Sequence, residues 1–172
     1  MKALALLRHA KSDWGNAGLG DFDRPLAPRG RKAAPRMGWA IRELGLSPDL
    51  ILCSEAKRAR ETWNLAGPEI GGKPALHIRR NLYLAAPNTI LRAVQGTAPE
   101  AQTVLVIGHS PGMENLALAL CGPGSDPDLV AALRDKFPTA ALAVLTFEVE
   151  DWTEIAPGAG NLRHFIRPRD LD

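Results

Sequence analysis

An arginine and a histidine stand side by side at the end of the first apolar run of the chain, as Arg8 and His9. Arginine presents a planar fork of N–H donors that matches phosphate oxygens, and a neutral histidine ring can attack phosphorus through its unprotonated nitrogen. The pair therefore indicates phosphoryl transfer through a phosphohistidine. An isolated Arg-His dipeptide is more often just the polar end of a buried strand, so this chemistry needs further groups from elsewhere in the chain.

Two such groups follow other predicted strands. His109 comes directly after the apolar run at residues 104–108, and Arg58 lies in the first turn of the helix predicted after residues 50–53. Open α/β sheets bind ligands at the carboxyl ends of their strands, where helix amino termini also offer free N–H groups to a phosphate. We therefore expect four side chains to meet at one edge of a sheet: Arg8, His9, Arg58 and His109.

Strand and helix patterns alternate along the chain. Apolar runs predict strands at residues 3–7, 50–53, 75–78, 104–108, 141–149 and 162–166. Helical spacing predicts helices near residues 28–44, at 55–65, from 88 onward, at 111–120 and after 126. Because short loops join these elements, we expect an α/β fold, a three-layer α/β/α sandwich around a mostly parallel central sheet.

Residue types at the predicted helix starts indicate how the helices begin. The expected N-caps are Ser54, Asn88, Ser110 and Asp126. Pro111 would then occupy the first position of its helix. Pro35 lies inside the first helical pattern and predicts a kink or a late start there.

Length and composition limit the class of protein. With 172 residues and 45% hydrophobic content, the chain can bury one sizeable core, so we expect a single domain over residues 1–172. The net charge of +2 is spread along the chain, which argues against a nucleic-acid partner. Cys53 and Cys121 form no C-x-x-C motif, and the first apolar run is too short for a signal peptide or a membrane span. We therefore expect a cytoplasmic protein without a membrane partner.

Several short motifs resemble those of one known family. The run Leu7-Arg8-His9-Ala10-Lys11-Ser12 resembles the R-H-G/A motif of the histidine phosphatase superfamily, which also includes the phosphoglycerate mutases. Two later segments are similar to its second and third motifs, in the correct order: Ser54-x-Ala56-x-Arg58-Ala59-x-x-Thr62 and Gly108-His109. Four segments look like the small SixA-like phosphohistidine phosphatase branch: Asp23-Arg24-Pro25-Leu26, Arg29-Gly30, Phe137-Pro138-Thr139 and Arg167-Pro168-Arg169-Asp170-Leu171.

The resemblance implies a role for each matching residue. His9 would be the nucleophile that transiently carries the phosphoryl group, and Arg8, Arg58 and His109 would surround the phosphate. Ser12 stands where related motifs have a small hydroxyl residue, so it is either a further hydrogen-bond donor or an ordinary loop serine. Lys11 and Arg24 would steer an anionic substrate or be plain surface charges. The implied substrate is phosphohistidine in a protein, with a small phosphate ester as the alternative.

A missing acid favours phosphohistidine as the substrate. Mutase-like members place a carboxylic acid after the third strand, where it protonates the leaving alkoxide, but residues 70–99 contain no Asp or Glu. A phosphorylated imidazole leaves as a neutral ring once it is protonated, and free histidine titrates at about 6.5. Five carboxylates outside this range could still supply an acid: Asp13, Asp21, Asp23, Glu55 and Glu114.

Two rival interpretations use the same residues differently. Gly108-x-Ser110-x-Gly112 is a nucleophile-elbow pattern, but Pro111 lacks the N–H that the oxyanion hole needs, and only His164 follows as a triad histidine. Alternatively the pocket only binds a phosphorylated protein, although binding alone would not need His9. The sequence has no phosphate-binding glycine motif and no histidine pair at metal-ligand spacing, so we expect no cofactor and no metal.

Overall fold

Six strands form one sheet in the computed structural model, which describes residues 1–172. The strands are β1 (Lys2–Arg8), β2 (Leu50–Ser54), β3 (Ala75–Arg79), β4 (Thr103–Gly108), β5 (Leu142–Phe147) and β6 (Asn161–Ile166). Their order across the sheet is β3-β2-β4-β1-β5-β6. The β3–β2, β2–β4 and β4–β1 pairs are parallel, whereas the β1–β5 and β5–β6 pairs are antiparallel. The prediction of a mostly parallel sheet is confirmed, and the antiparallel pairs lie toward one edge.

Five helices cover the two faces of the sheet. They are α1 (Pro28–Glu43), α2 (Lys57–Ile70), α3 (Pro87–Gln95), α4 (Gly112–Leu120) and α5 (Pro127–Asp135). Short 3-10 turns lie at Asp21–Asp23, Arg80–Leu82, Trp152–Glu154 and Pro168–Leu171. No helix has the length and apolar character needed to cross a membrane.

The alternation of side chains along each strand builds two hydrophobic cores. On β1, Leu4 and Leu6 belong to a cluster of 23 buried residues that includes side chains of α3, α4 and α5. The intervening Ala5 and Leu7 belong to a cluster of 16 buried residues that includes side chains of α1 and α2. Because successive side chains of a strand point to opposite faces, each central strand contributes to both cores. The predicted three-layer α/β/α arrangement is confirmed.

Three of the four predicted N-caps are wrong. Helix α2 begins at Lys57 behind Ala56; the Ser54 hydroxyl accepts from the Ala56 N–H at 3.3 Å and bonds to the ring of His109, and it caps no N–H of the helix. Helix α3 begins at Pro87, whose fixed φ suits the first helical turn, so Asn88 lies inside the helix. Helix α4 begins at Gly112 behind Pro111, one residue later than predicted, and the Ser110 hydroxyl caps nothing.

The remaining helix predictions fare differently. The Asp126 carboxylate accepts hydrogen bonds from the N–H groups of Asp128 and Leu129, which confirms it as the N-cap of α5. Pro35 does not delay α1, which begins at Pro28 and continues past Pro35 to Glu43, so the predicted late start is wrong. Helix α2 extends to Ile70, past its internal Pro68, so it is longer than the predicted range of 55–65.

Candidate active site

The predicted catalytic groups lie at the carboxyl ends of three neighbouring strands. Arg8 is the last residue of β1 and pairs in register with Gly108, the last residue of β4. His9 and His109 follow these two residues, and the centroids of their rings are 5.1 Å apart. Arg58 reaches the same place from the first turn of α2, directly after β2. The structure therefore brings together all four side chains that the sequence analysis assigned to this edge.

Two hydrogen bonds determine which nitrogen of His9 is free to react. Nδ1 lies 2.7 Å from the carbonyl oxygen of Ala10, and Nε2 lies 3.3 Å from Nε of Arg58. Since the carbonyl only accepts and the guanidinium only donates, Nδ1 carries the ring proton and Nε2 keeps its lone pair. Burial lowers the pKa of His9 to about 3, so the ring is neutral at pH 7. A neutral imidazole with an oriented lone pair is a nucleophile for phosphorus.

His109 has the opposite tautomer by the same reasoning. Its Nδ1 faces Nη2 of Arg58 at 3.4 Å, and its Nε2 lies 2.8 Å from the hydroxyl oxygen of Ser54. The proton therefore sits on Nε2, which donates to Ser54. Burial, together with the charge of Arg58, lowers the pKa of His109 to about 4. A bound phosphate dianion would oppose that shift and favour the doubly protonated ring.

Arg58 connects both histidines to a carboxylate. Its Nη1 donates to the backbone oxygen of Asp21 at 2.7 Å, and its Nη2 lies 3.0 Å from Oδ2 of Asp21. The Tyr83 hydroxyl donates a short hydrogen bond to the same Oδ2. The bond from Tyr83, supported by those from Arg24 and Arg58, holds the pKa of Asp21 well below its usual range. Asp21 is therefore ionised at neutral pH: its carboxylate accepts hydrogen bonds and has no proton to transfer to a leaving group.

Arg8 leaves a donor unused. Its Nη1 donates to the carbonyl oxygen of Phe137 at 2.8 Å, whereas its Nε is buried and has no hydrogen-bond partner. An unpaired buried donor costs about 1–3 kcal/mol, and an anion beside it would recover that free energy. Alongside burial, the charge of Arg8 contributes to the lowered pKa of His9, and an unpaired donor so close to that ring fits a site built to receive phosphate oxygens.

Thr62 ties α2 to the end of β1. Its hydroxyl donates to the carbonyl of Arg58 at 2.8 Å and accepts from the N–H of Ala10 at 3.0 Å. Thr62 is fully buried. It therefore fixes the first turns of α2, which carry Arg58, against the residue that follows His9.

The three weaker candidates lie around this centre in different roles. Arg24 is buried, and its Nη1 donates to the Ser12 hydroxyl at 2.6 Å while its Nε and Nη2 reach Oδ1 of Asp21. The Arg24 guanidinium also stacks 3.4 Å from the ring centroid of Trp14. Arg24 thus connects Ser12, near the start of the loop at residues 11–26, to Asp21 within the same loop. The Lys11 side chain instead lines a separate groove beside the site.

Tyr83 and the contacts of Asp21 and Ser54 were missed by sequence reasoning. Tyr83 is the only tyrosine of the chain, and no local pattern links it to a residue 62 positions away. Asp21 was named only as one of five possible acids, although its motif neighbours Asp23 and Arg24 are a usable signal. Ser54 has the residue type of an N-cap, which hides its hydrogen bond to a histidine of another strand.

The rival serine mechanism has no support in the geometry. The Ser110 hydroxyl is buried without any hydrogen-bond partner, so no histidine is placed to activate it. His164 lies on the edge strand β6, in register with Val144. No cluster of three or more His, Cys, Asp or Glu residues is arranged to hold a metal ion.

Comparison with known proteins identifies the family. The sequence model of the histidine phosphatase superfamily (branch 1) matches residues 4–82. A Mycobacterium tuberculosis protein is 38% identical over 164 residues, which are 95% of this chain and 100% of that protein. A candidate phosphohistidine phosphatase SixA from Agrobacterium tumefaciens is 33% identical, with a TM-score of 0.81 over 97% of this chain and 98% of that one. The candidate SixA from Nakamurella multipartitia is 29% identical, with a TM-score of 0.84 over 97% of this chain and 96% of that one.

The curated phosphoglycerate mutases match a smaller part of the chain. The mutase of Thermobifida fusca is 42% identical over 73 residues, which are 41% of this chain and 30% of that enzyme. The resemblance to the SixA structures, by contrast, extends over nearly the whole length of this chain and of each SixA chain. The chain therefore belongs to the histidine phosphatase superfamily, in its SixA-like branch, and has the character of a phosphatase or phosphoglycerate mutase-like enzyme.

Proposed function

We propose that this protein hydrolyses phosphohistidine in a protein substrate, by way of a phosphoryl group carried on Nε2 of His9. The observation that carries the proposal is the arrangement of His9, whose Nδ1 is held by the Ala10 carbonyl while Nε2 is unprotonated, with its lone pair turned toward the Nε–H of Arg58. The two SixA structures that this chain resembles are candidate phosphohistidine phosphatases, which agrees with this chemistry.

The reaction divides into two displacements at phosphorus. In the first, the lone pair of His9 Nε2 forms a bond to phosphorus, the N–P bond of the substrate breaks, and the departing imidazole takes a proton. In the second, water attacks the phosphoryl group on His9, releasing inorganic phosphate and restoring the neutral ring. Arg8 and Arg58 offset the negative charge on the equatorial phosphoryl oxygens in both steps. His109 lies at the same edge of the sheet and also faces the phosphate.

The state of Asp21 supports phosphohistidine over a phosphate ester. Asp21 is the carboxylate in contact with the catalytic arginine, and its pKa lies well below the usual range. Residues 70–99 offer no other acid. Without a proton donor an alkoxide leaves slowly, whereas an imidazole can be protonated from solvent near neutral pH. Hydrolysis of a small phosphate ester is the alternative function.

The covalent step is tested by trapping the intermediate. Rapid quenching with a labelled phosphohistidine peptide should give an acid-labile, base-stable phosphoryl group on the enzyme. His9→Ala should abolish the label and the turnover, while His164→Ala, a histidine on the edge strand, should leave both unchanged. Full turnover by His9→Ala would contradict the proposal.

Substrate choice is tested by comparing kcat/KM for a phosphohistidine peptide with that for an alkyl phosphate. We expect the peptide to be preferred by at least about a hundredfold, the size of one general-acid contribution. Asp21→Asn tests the carboxylate directly, because it keeps the shape and removes the charge. Comparable kcat/KM values for the two substrates, with ester hydrolysis lost in Asp21→Asn, would instead assign an ordinary phosphomonoesterase.

Two further properties belong to the proposal. Arg8 and Arg58 supply positive charge around the phosphate, so activity should be metal-independent and unchanged after treatment with a chelator. Loss of activity that Mg²⁺ or Zn²⁺ restores would contradict this. Cys53 and Cys121 are both free thiols, which is consistent with a cytoplasmic location.

A further inference from the structure

A basic groove adjoins the catalytic edge of the sheet. It is a cavity of about 510 Å³ between α1, Lys11, residues 135–139 and residues 167–172. Seven Lys or Arg side chains and two Asp side chains line it, in a chain whose net charge is only +2. Positive charge is therefore concentrated at this one surface and is balanced by acidic residues elsewhere.

Most of these cations have no internal partner. Arg36 pairs with Asp172 at 2.9 Å, and Arg167 pairs with Asp170 at 3.0 Å. The other five form no ion pair and no side-chain hydrogen bond: Lys11, Arg29, Lys32, Lys136 and Arg169. Like charges held together without counter-ions repel one another, so this clustering does not serve the stability of the free protein.

The groove is connected to the catalytic residues through the backbone. Lys11 lies two residues after His9. The segment that contributes Lys136 and Pro138 also contains Phe137, whose carbonyl accepts from Arg8, and the Ala140 N–H donates to the carbonyl of His9 at 3.0 Å. The groove and His9 therefore lie at the same edge of the sheet, so a protein whose phosphohistidine reaches His9 has this surface beside it.

The exposure of the cations indicates what kind of anion they bind. A site built for a single phosphate holds it with buried forks, as Arg58 shows with only 3% exposure. In the groove Lys11 is half-buried, and the other four unpaired side chains are exposed. Flexible, hydrated cations on four separate segments fit negative charge that is spread over several residues of a partner.

We propose that the basic groove binds an acidic segment of the protein substrate, next to the phosphohistidine that enters the catalytic site. This inference rests on the proposed function, since it names the class of protein that the enzyme recognises. The groove raises the rate of productive encounter and sets the orientation of the substrate, while Arg8, Arg58 and the two histidines perform the chemistry.

The test uses two triple variants with the same change in net charge. The groove variant is Lys32→Glu, Lys136→Glu and Arg169→Glu, which replaces exposed side chains outside the catalytic centre. The control variant is Lys73→Glu, Arg92→Glu and Arg163→Glu, on surfaces outside the groove. Because all six side chains are exposed, both variants should unfold at temperatures close to the wild type, which circular dichroism verifies.

The first readout is binding without catalysis. A fluorescent, unphosphorylated peptide with a run of Asp and Glu should bind the wild type and the control variant, and bind the groove variant at least about tenfold more weakly. Added NaCl should remove the difference, since exposed charges are screened. Equal affinity for all three proteins, equal losses in both variants, or tighter binding of free tripolyphosphate than of the peptide would overturn the proposal.

The second readout separates the groove from the chemistry. For phosphohistidine peptides with acidic or neutral flanks, the wild type and the control should prefer the acidic flank in kcat/KM, and the groove variant should lose that preference. Phosphoimidazole, which has no flank, should be hydrolysed equally by all three. If the wild type fails to hydrolyse phosphoimidazole, the proposed function is contradicted. The peptide-binding measurement would still show whether the groove binds an acidic segment.

Discussion

Arg58 is the residue in which the contacts of the site converge. It donates to Nε2 of His9, faces Nδ1 of His109, and is held from behind by the backbone and carboxylate of Asp21. These bonds orient the guanidinium before any substrate arrives. Preorganised donors need no rearrangement while charge develops on the phosphoryl oxygens, which is why they lower the barrier.

Removing this guanidinium should affect the chemical step more than substrate binding. Arg58→Ala should lower kcat by at least about a hundredfold, as expected for loss of a donor that tightens on the transition state. Arg58→Lys should recover only part of the loss, because a lysine keeps the charge but not the fork. Arg60→Ala is the matched control, since Arg60 lies on the same helix but donates to the carbonyl of Glu55. A kcat loss below tenfold in Arg58→Ala would mean that its role is misassigned.

The two buried histidines should make stability depend on pH. Their pKa values in the folded protein are about 3 for His9 and about 4 for His109, below the value of about 6.5 for an unfolded chain. The unfolded state therefore binds more protons in mild acid, and the free energy of unfolding falls as pH is lowered through this interval. From pH 7 to about 4.5 each ring should remove about 2–3 kcal/mol.

Urea unfolding at a series of pH values measures this effect. His109→Asn should show a smaller loss of stability between pH 7 and about 4.5 than the wild type, because one of the two titrating rings is absent. His77→Asn changes an exposed histidine on β3 and should follow the wild type. An unchanged pH dependence in His109→Asn would show that its ring is not held neutral by burial.

At the scale of elements, the close approach of α1 and α2 positions Arg58. A Cβ atom built on Gly38 of α1 would lie 2.3 Å from the carbonyl oxygen of Ala66 in α2. Only a residue without a side chain allows the two helix backbones to come so near. Helix α2 is therefore placed by its contact with α1 as well as by the bonds of Thr62 to the end of β1.

Enlarging Gly38 should separate the two helices. Gly38→Ala should destabilise the protein by about 1–3 kcal/mol through overpacking, even though alanine favours a helix more than glycine does. Activity should fall as well, because α2 carries Arg58. Gly20→Ala is the control, since a Cβ there meets no atom within 4 Å. The urea denaturation midpoint and kcat of both variants measure these effects. A Gly38→Ala protein as stable as the wild type would show that the contact between α1 and α2 does not require glycine at this position.

At the scale of the whole molecule, the two hydrophobic cores share one sheet. The cluster beneath α3, α4 and α5 and the cluster beneath α1 and α2 take alternate side chains from the same central strands. Loss of either core would expose one face of those strands to water. This shared use of strands supports the hypothesis that residues 1–172 form a single domain.

A single domain should unfold in one step. In scanning calorimetry the calorimetric enthalpy should equal the van't Hoff enthalpy, as for other small domains. Near- and far-ultraviolet circular dichroism should give coincident transitions, because tertiary packing and secondary structure disappear together. Two resolved transitions would show that the helical layers unfold independently.

The secondary-structure elements of this protein and their order along the chain follow from local patterns in the sequence. Hydrophobic alternation and apolar runs predicted all six strands, and the polar residues after them predicted that Arg8, His9, Arg58 and His109 would meet. This works because burial of a strand depends mainly on its own side chains, and parallel neighbours bring their carboxyl ends to one edge. The resemblance to the histidine phosphatases follows from the same short segments.

Only the tertiary structure decided how the polar side chains pair. Ser54 bonds to His109 across 55 positions, and Tyr83 bonds to Asp21 across 62, which no local pattern contains. The N-cap prediction for Ser54 failed for the same reason, because its hydroxyl bonds to the ring of His109, which follows a neighbouring strand. The basic groove likewise unites cations from four distant segments. Hydrophobic burial is a local property of the chain, whereas hydrogen-bond partners and clustered charge depend on which segments the fold brings side by side.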